Sequence, residues 1–197
     1  MTTLRKTLHG LAAGFIATAA ASAHAAPVTY EIDPNHTYPS FEADHLNGLS
    51  VWRGKFTKTA GKIVLDKAAG SGGFDVVVEV DSIDFGLRQM NAAAKGADMF
   101  DVARFPDARF RGQLEGFENG APTRAVGEFT LHGVTKPLTL EIRQFKCMPH
   151  PLFKRDLCGA DAIGTFQRDA FGIDSGKAFG FRMDVTLRIQ VEAVATP

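Results

Sequence analysis

Met183-Asp184-Val185-Thr186-Leu187-Arg188-Ile189-Gln190-Val191-Glu192 is the stretch that decides the fold. Its apolar residues fall on the odd positions and its polar ones on the even positions. A strict period of two places these sets on opposite faces of a β-strand, one against a core and one in water. The same alternation recurs in Leu138, Leu140 and Ile142, and in Phe74, Val76, Val78 and Val80. It recurs again in Ala108, Phe110, Gly112 and Leu114. Further strands are expected over 28–32, 40–45, 54–65, 124–131 and 161–168. Asn47-Gly48, Gly70-Ser71-Gly72-Gly73, Asn119-Gly120 and His132-Gly133 supply the turns between them. One segment reads as helix, Asn91-Ala92-Ala93-Ala94-Lys95, with Asn91 as its cap and Gly96 as its stop.

Eight or nine half-buried strands must hide their edges. A sandwich and a closed barrel are the two all-β solutions at this length. The apolar faces favour the barrel, because they set very large residues beside very small ones: Phe110 and Gly112, Phe129 and Gly127, Phe166 and Gly164. The predicted fold is therefore all-β, an antiparallel barrel of about eight strands with one or two short helices. Such a barrel is either filled by its own side chains or holds one small ligand.

The chain begins with Arg5 and Lys6 as its first charges, followed by an uncharged run over 8–21 and then Ala23-His24-Ala25. This is the pattern of a cleaved export signal over residues 1–25, leaving 26–197 as one mature domain. The run is too short and Ala-rich for a membrane anchor, and no other stretch is long enough to cross a bilayer. The expected product is soluble and, in a bacterium, periplasmic. Neither a lipid anchor nor twin-arginine export is indicated. The whole chain has 22 Lys+Arg and 22 Asp+Glu. Losing Arg5 and Lys6 leaves 20 against 22, a net charge of −2. That balance offers no basic footprint for nucleic acid.

Cys147 and Cys158 are the two cysteines. In an oxidising compartment so close a pair is expected to form a disulfide. The competing reading is a metal site from Cys147, His150 and Cys158, which lacks a fourth ligand. No nucleophile elbow, zinc-protease helix, phosphate loop or dinucleotide fingerprint occurs, so no catalytic residue and no cofactor are assigned. His36, His45 and His132 sit beside predicted turns or strand ends. They read as turn or rim histidines, or else as a metal-dependent catalytic set. Of 16 Phe, Phe15 leaves with the signal, and 15 remain beside two Tyr and one Trp. Phe carries no polar handle, so this usage points to a dry interior. Ordinary core packing and a deep apolar pocket account for it equally.

Several ordered segments resemble the YceI-like family of exported polyisoprenoid-binding proteins. They are Tyr30-Glu31-Ile32-Asp33-Pro34-Asn35-His36-Thr37 with Phe41, His45 and Gly54-Lys55-Phe56; Met99-Phe100-Asp101 through Phe105-Pro106-Asp107-Ala108-Arg109-Phe110; the run Gly127–Pro137; and Arg168-Asp169-Ala170-Phe171-Gly172-Ile173. The likeness spans 28–193. It implies a lipocalin-like barrel that binds a long isoprenoid or similar lipid (a polyprenyl phosphate, an isoprenoid quinone or a fatty amide) without catalysis. Carried onto this sequence, Phe41, Phe56, Phe110, Phe129, Leu131, Phe166 and Phe171 would line the tail. His36, His45 and Arg168 would stand at the mouth, facing a polar or anionic head. The segment 87–100 departs most from the family pattern. A ligand-free structural stress protein and a His-dependent enzyme are the alternatives, and both monomer and homodimer are open.

Overall fold

Alternation along each strand is met by pairing on both sides. The computed structural model describes residues 26–197, so the expected export segment, 1–25, lies outside the described residues. Eleven strands form one antiparallel sheet. They are β1 (Val28–Ile32), β2 (Ser40–His45), β3 (Ser50–Phe56), β4 (Thr59–Asp66), β5 (Ser71–Glu79), β6 (Ile83–Asp84), β7 (Asp107–Glu115), β8 (Arg124–Leu131), β9 (Val134–Pro149), β10 (Asp156–Gln167) and β11 (Asp184–Ala195). β1 pairs with β4 on one side and with β11 on the other, which closes the cycle β1-β4-β5-β7-β8-β9-β10-β11 into an eight-stranded barrel. β2, β3 and β6 prolong the same sheet at one end, where β11 pairs with β2.

The expected strand 54–65 breaks at Thr57 and Lys58. The Ser82 hydroxyl repairs the break: Oγ accepts both backbone N–H groups at 3.1 Å and donates to Glu79 O at 2.6 Å. The helix, α1 (Arg88–Lys95), starts earlier than expected. Asn91 is one turn inside it, and its side chain instead accepts the Phe85 N–H at 2.8 Å and donates to Asp84. Gly96 ends the helix as expected, its N–H bonded to Ala93 O. The His132-Gly133 and Asn119-Gly120 pairs both have positive φ, as tight hairpin turns need.

β9 is much longer than the alternation over 138–142 suggests. Its register slips beside Asp161/Ala162, leaving Arg143 as an extra residue between Ile142 and Gln144. This bulge moves the inward set from even to odd positions, so Phe145 and Cys147 join the inner core beyond it. The glycines read as space-makers are points of close approach. Gly112 and Gly127 face each other across β7 and β8, and a Cβ on either would meet the opposite backbone carbonyl at 2.1 Å. Packed clusters of buried residues lie toward the two ends of the barrel. Tyr30, Ile32, Leu65, Cys158 and Ala193 form one; Phe41, Val80, Ile83, Phe171 and Ile173 belong to the packing at the other.

Candidate functional site: an apolar cavity in the barrel

Between these clusters the barrel encloses a cavity of about 580 Å³. That is far more than the roughly 30 Å³ a water takes up, and lies within the range of small-molecule sites. The barrel is therefore not filled by its own side chains. Phe, Leu, Ile and Val dominate the wall, as at Ile63, Phe74, Leu140 and Leu187. The Phe74 and Phe110 rings lie 4.7 Å apart with tilted planes, and Phe110, Phe129 and Phe166 continue edge to face.

Six of the seven residues expected along the tail do line this cavity: Phe41, Phe56, Phe110, Phe129, Leu131 and Phe166. Phe171 stands behind the wall. It is buried in a short 3-10 turn, Arg168–Phe171, with its ring 5.5 Å from Phe129 and 5.3 Å from Phe166. Its role is to back the two rings that face the space.

The three residues expected at the mouth separate. Arg168 lines the cavity and is buried, donating to Ile173 O at 3.0 Å and Ser175 O at 2.7 Å. Both acceptors are neutral carbonyls, and burial pushes its guanidinium below the usual arginine value, opposed by Asp169, Asp174 and Asp44 nearby. His45 stands at the rim, its ring stacked on Trp52 at 4.2 Å and edge-on to Phe181 at 5.0 Å. Trp52 and Phe181 both line the cavity. His36 lies outside it, exposed and hydrogen-bonded to Asp33 at 2.7 Å. That bond raises the His36 pKa and lowers that of Asp33.

Four further polar residues stand in the wall. Thr37 is paired with the backbone of Glu192. Tyr30 donates to Asp156 at 2.7 Å, and burial together with that carboxylate holds its phenol well above the usual range. Asp44 is buried at the end of β2 and accepts the backbone N–H groups of Gly48 and Arg182. Thr59 is buried, and its hydroxyl has no hydrogen-bond partner among the described residues. Trp52 could have been singled out as the sole Trp, but Asp44 depends on a contact 138 residues away.

The histidines do not converge. His132 lies in the β8–β9 turn against Phe105, its Nδ1 3.1 Å from Phe171 O. That acceptor assigns the proton to Nδ1. His150 Nδ1 accepts the N–H groups of Leu152 and Phe153 in the β9–β10 turn. Cys147 and Cys158 face each other in register and form a disulfide. Among the described residues the one cluster of three metal-capable groups is Cys147, Asp156 and Cys158. Both its sulfurs are taken by the disulfide, and Asp156 is held by Tyr30 and Lys67.

Among the described residues, no helix is long and apolar enough to cross a membrane. The YceI-like domain model matches residues 30–193. A UPF0312 protein of Yersinia pestis (strain Pestoides F) is 34% identical over 139 residues, covering 70% of this chain and 71% of that one. A YCEI protein of Campylobacter jejuni superposes with a TM-score of 0.64 at 22% identity, over 76% of this chain and 88% of its own. A polyisoprenoid binding domain from Saccharophagus degradans, implicated in plant cell wall breakdown, superposes at 0.60 with 13% identity, over 86% and 99%. Matched over most of its length in sequence and sharing the same closed barrel, the chain belongs to the YceI-like family.

Proposed function

We propose that this protein is an exported, non-catalytic binder of a polyisoprenoid or similar long-chain lipid. The observation that carries the reading is the apolar cavity of about 580 Å³ inside the barrel, with a buried cation, Arg168, in its wall. Each methylene moved from water into such a wall contributes about 0.8 kcal/mol before ordering costs. A prenyl tail therefore needs few polar contacts. Arg168 supplies a donor for an anionic or carbonyl head, and the Thr59 hydroxyl, unpartnered among the described residues, a second polar contact. The Saccharophagus domain, with the same fold, is named for polyisoprenoid binding. An exported binder suits such a ligand, since a free isoprenoid is nearly insoluble in water.

The test is native mass spectrometry and organic extraction of gently purified protein, followed by titration with a polyprenyl phosphate, a quinone and a fatty amide. Recovery of an empty barrel that takes up none of the three would end this reading. Amino-terminal sequencing of the protein from the periplasmic fraction tests export, with Ala26 expected as the first residue.

A further inference from the structure

We infer that the rim of the cavity is a docking surface for the uncharged interface of a lipid bilayer, through which ligand passes between membrane and barrel. The inference rests on the lipid-binding reading above. Two segments meet at this end of the molecule. The β2–β3 tip, Leu46-Asn47-Gly48-Leu49-Ser50-Val51-Trp52, carries no charge, and neither does Ala178-Phe179-Gly180-Phe181. Leu49 and Phe179 are 74% and 78% exposed, and Leu46 and Val51 are both 44% exposed. Trp52, Phe179 and Phe181 also line the cavity. The exposed apolar surface therefore runs without interruption into the apolar bore.

The two tips are held as one unit. Asp44 Oδ1 accepts the Gly48 N–H at 2.6 Å and forms an ion pair with the Arg182 guanidinium at 3.2 Å, while Oδ2 accepts the Arg182 N–H at 2.9 Å. The His45 ring is wedged between Trp52 and Phe181. Flanking cations are paired locally: Arg53 with Glu42 (which also takes Arg188), Lys177 with Asp169 and Arg182 with Asp44. An uncharged tip with a Trp at its base suits the boundary between headgroups and acyl chains. A protein partner fits less well. Leu46, Leu49, Val51 and Phe179 together expose on the order of 400 Å², about half of what a stable protein interface takes from each side.

The opposite end differs in kind. There the β9–β10 turn exposes Leu152 and Phe153 beside Lys146, Lys154 and Arg155, a pattern that would favour anionic lipid. The two ends therefore predict different lipid and salt dependence, and a vesicle experiment separates them.

Trp52, the sole Trp, is a built-in reporter. The mature protein is mixed with phosphatidylcholine vesicles, with and without bromine-labelled acyl chains, and followed by flotation and Trp emission. We expect flotation, a blue shift and bromine quenching, changed less than about 2-fold by raising the salt from ~0.1 to ~0.5 M. The L46D/L49D variant, which alters no cavity-lining residue, should lower the vesicle-bound fraction at least ~10-fold. Its uptake of a polyprenyl phosphate from detergent solution should stay within about 2-fold of wild type. Circular dichroism of the variant checks that it is folded, and the bromine quenching of wild type needs no variant. Absence of quenching, or wild-type flotation by folded L46D/L49D, overturns the proposal. So does binding that requires anionic phosphatidylglycerol and disappears in K146E/K154E, and so does a vesicle-free blue shift that tracks self-association. If wild type docks on vesicles but takes up no prenyl lipid, the carrier reading falls and the docking surface stands.

Discussion

Asp44 and Arg182, 138 residues apart in sequence, are joined by two contacts from one buried carboxylate, to the backbone N–H at 2.9 Å and to the guanidinium at 3.2 Å. This contact brings the first and last thirds of the chain together at the mouth. The Arg182 backbone N–H is the largest influence holding the Asp44 pKa below its ordinary 3.8, and the Gly48 N–H and the guanidinium add to it. The native state thus binds this proton less readily than the unfolded chain does. Its contribution is fully present above the unfolded value and is lost as the pH falls through the lowered folded one. D44N should lower the urea midpoint at pH 7, and its difference from wild type should shrink at a pH of about 3 or below. A difference that stays constant with pH would assign the effect to shape instead of charge.

Removing the disulfide should cost stability without opening the barrel. C147S/C158S breaks a link between residues already paired in register on β9 and β10. A loop this short is worth about 2–3 kcal/mol, read from urea unfolding, with the far-ultraviolet spectrum unchanged. Intact mass after alkylation with and without reduction checks the pairing itself.

Phe171 and Phe110 should differ in what they lose. Phe171 is 2% exposed and packed behind the wall, so F171A should destabilise by about 3–5 kcal/mol. Phe110 faces the cavity, so F110A should cost less and widen the bore. Its signature is a shift in preferred prenyl chain length, measured by competition between short and long lipids.

Arg168 should discriminate heads. R168M leaves the carbonyls of Ile173 and Ser175 without their donor, at a cost of about 1–3 kcal/mol. Affinity for a polyprenyl phosphate should fall by more than affinity for the corresponding uncharged alcohol. Equal losses for the two would place Arg168 in the scaffold alone.

Thr59 offers a test of opposite sign. A buried hydroxyl without a partner is a cost in the empty protein, so T59V should raise stability by about 1 kcal/mol. The same change should weaken any ligand whose polar group reaches it. Urea midpoints measured with and without lipid separate the two effects.

Strand positions were legible wherever one face of the chain stays on one side. β8 begins and ends where its alternation does, and β1 and β2 likewise. β9 was legible only to Ile142, because the bulge at Arg143 reverses the parity beyond it. Of the site, the seven tail residues came from the family resemblance, and five rings and Leu131 among them line the cavity. His36 and Phe171 were placed by segment resemblance alone, and an adjacent residue on a bent segment can point elsewhere. Asp44 and Thr59 gave no signal, since a polar residue on a strand reads as solvent-facing unless its distant partner is known.

By itself the sequence determined an all-β chain with a dry, Phe-rich inner face and a cysteine pair suited to a disulfide. These are local properties, because a strand presents alternate residues to opposite faces whatever it pairs with. Tertiary structure alone decided that β1 meets β11, that the interior is a cavity instead of a packed core, and that the mouth is held by Asp44 and Arg182. Cavity volume depends on how eight strands curve together, down to the facing glycines 112 and 127. A contact across 138 residues exists only once the barrel has closed.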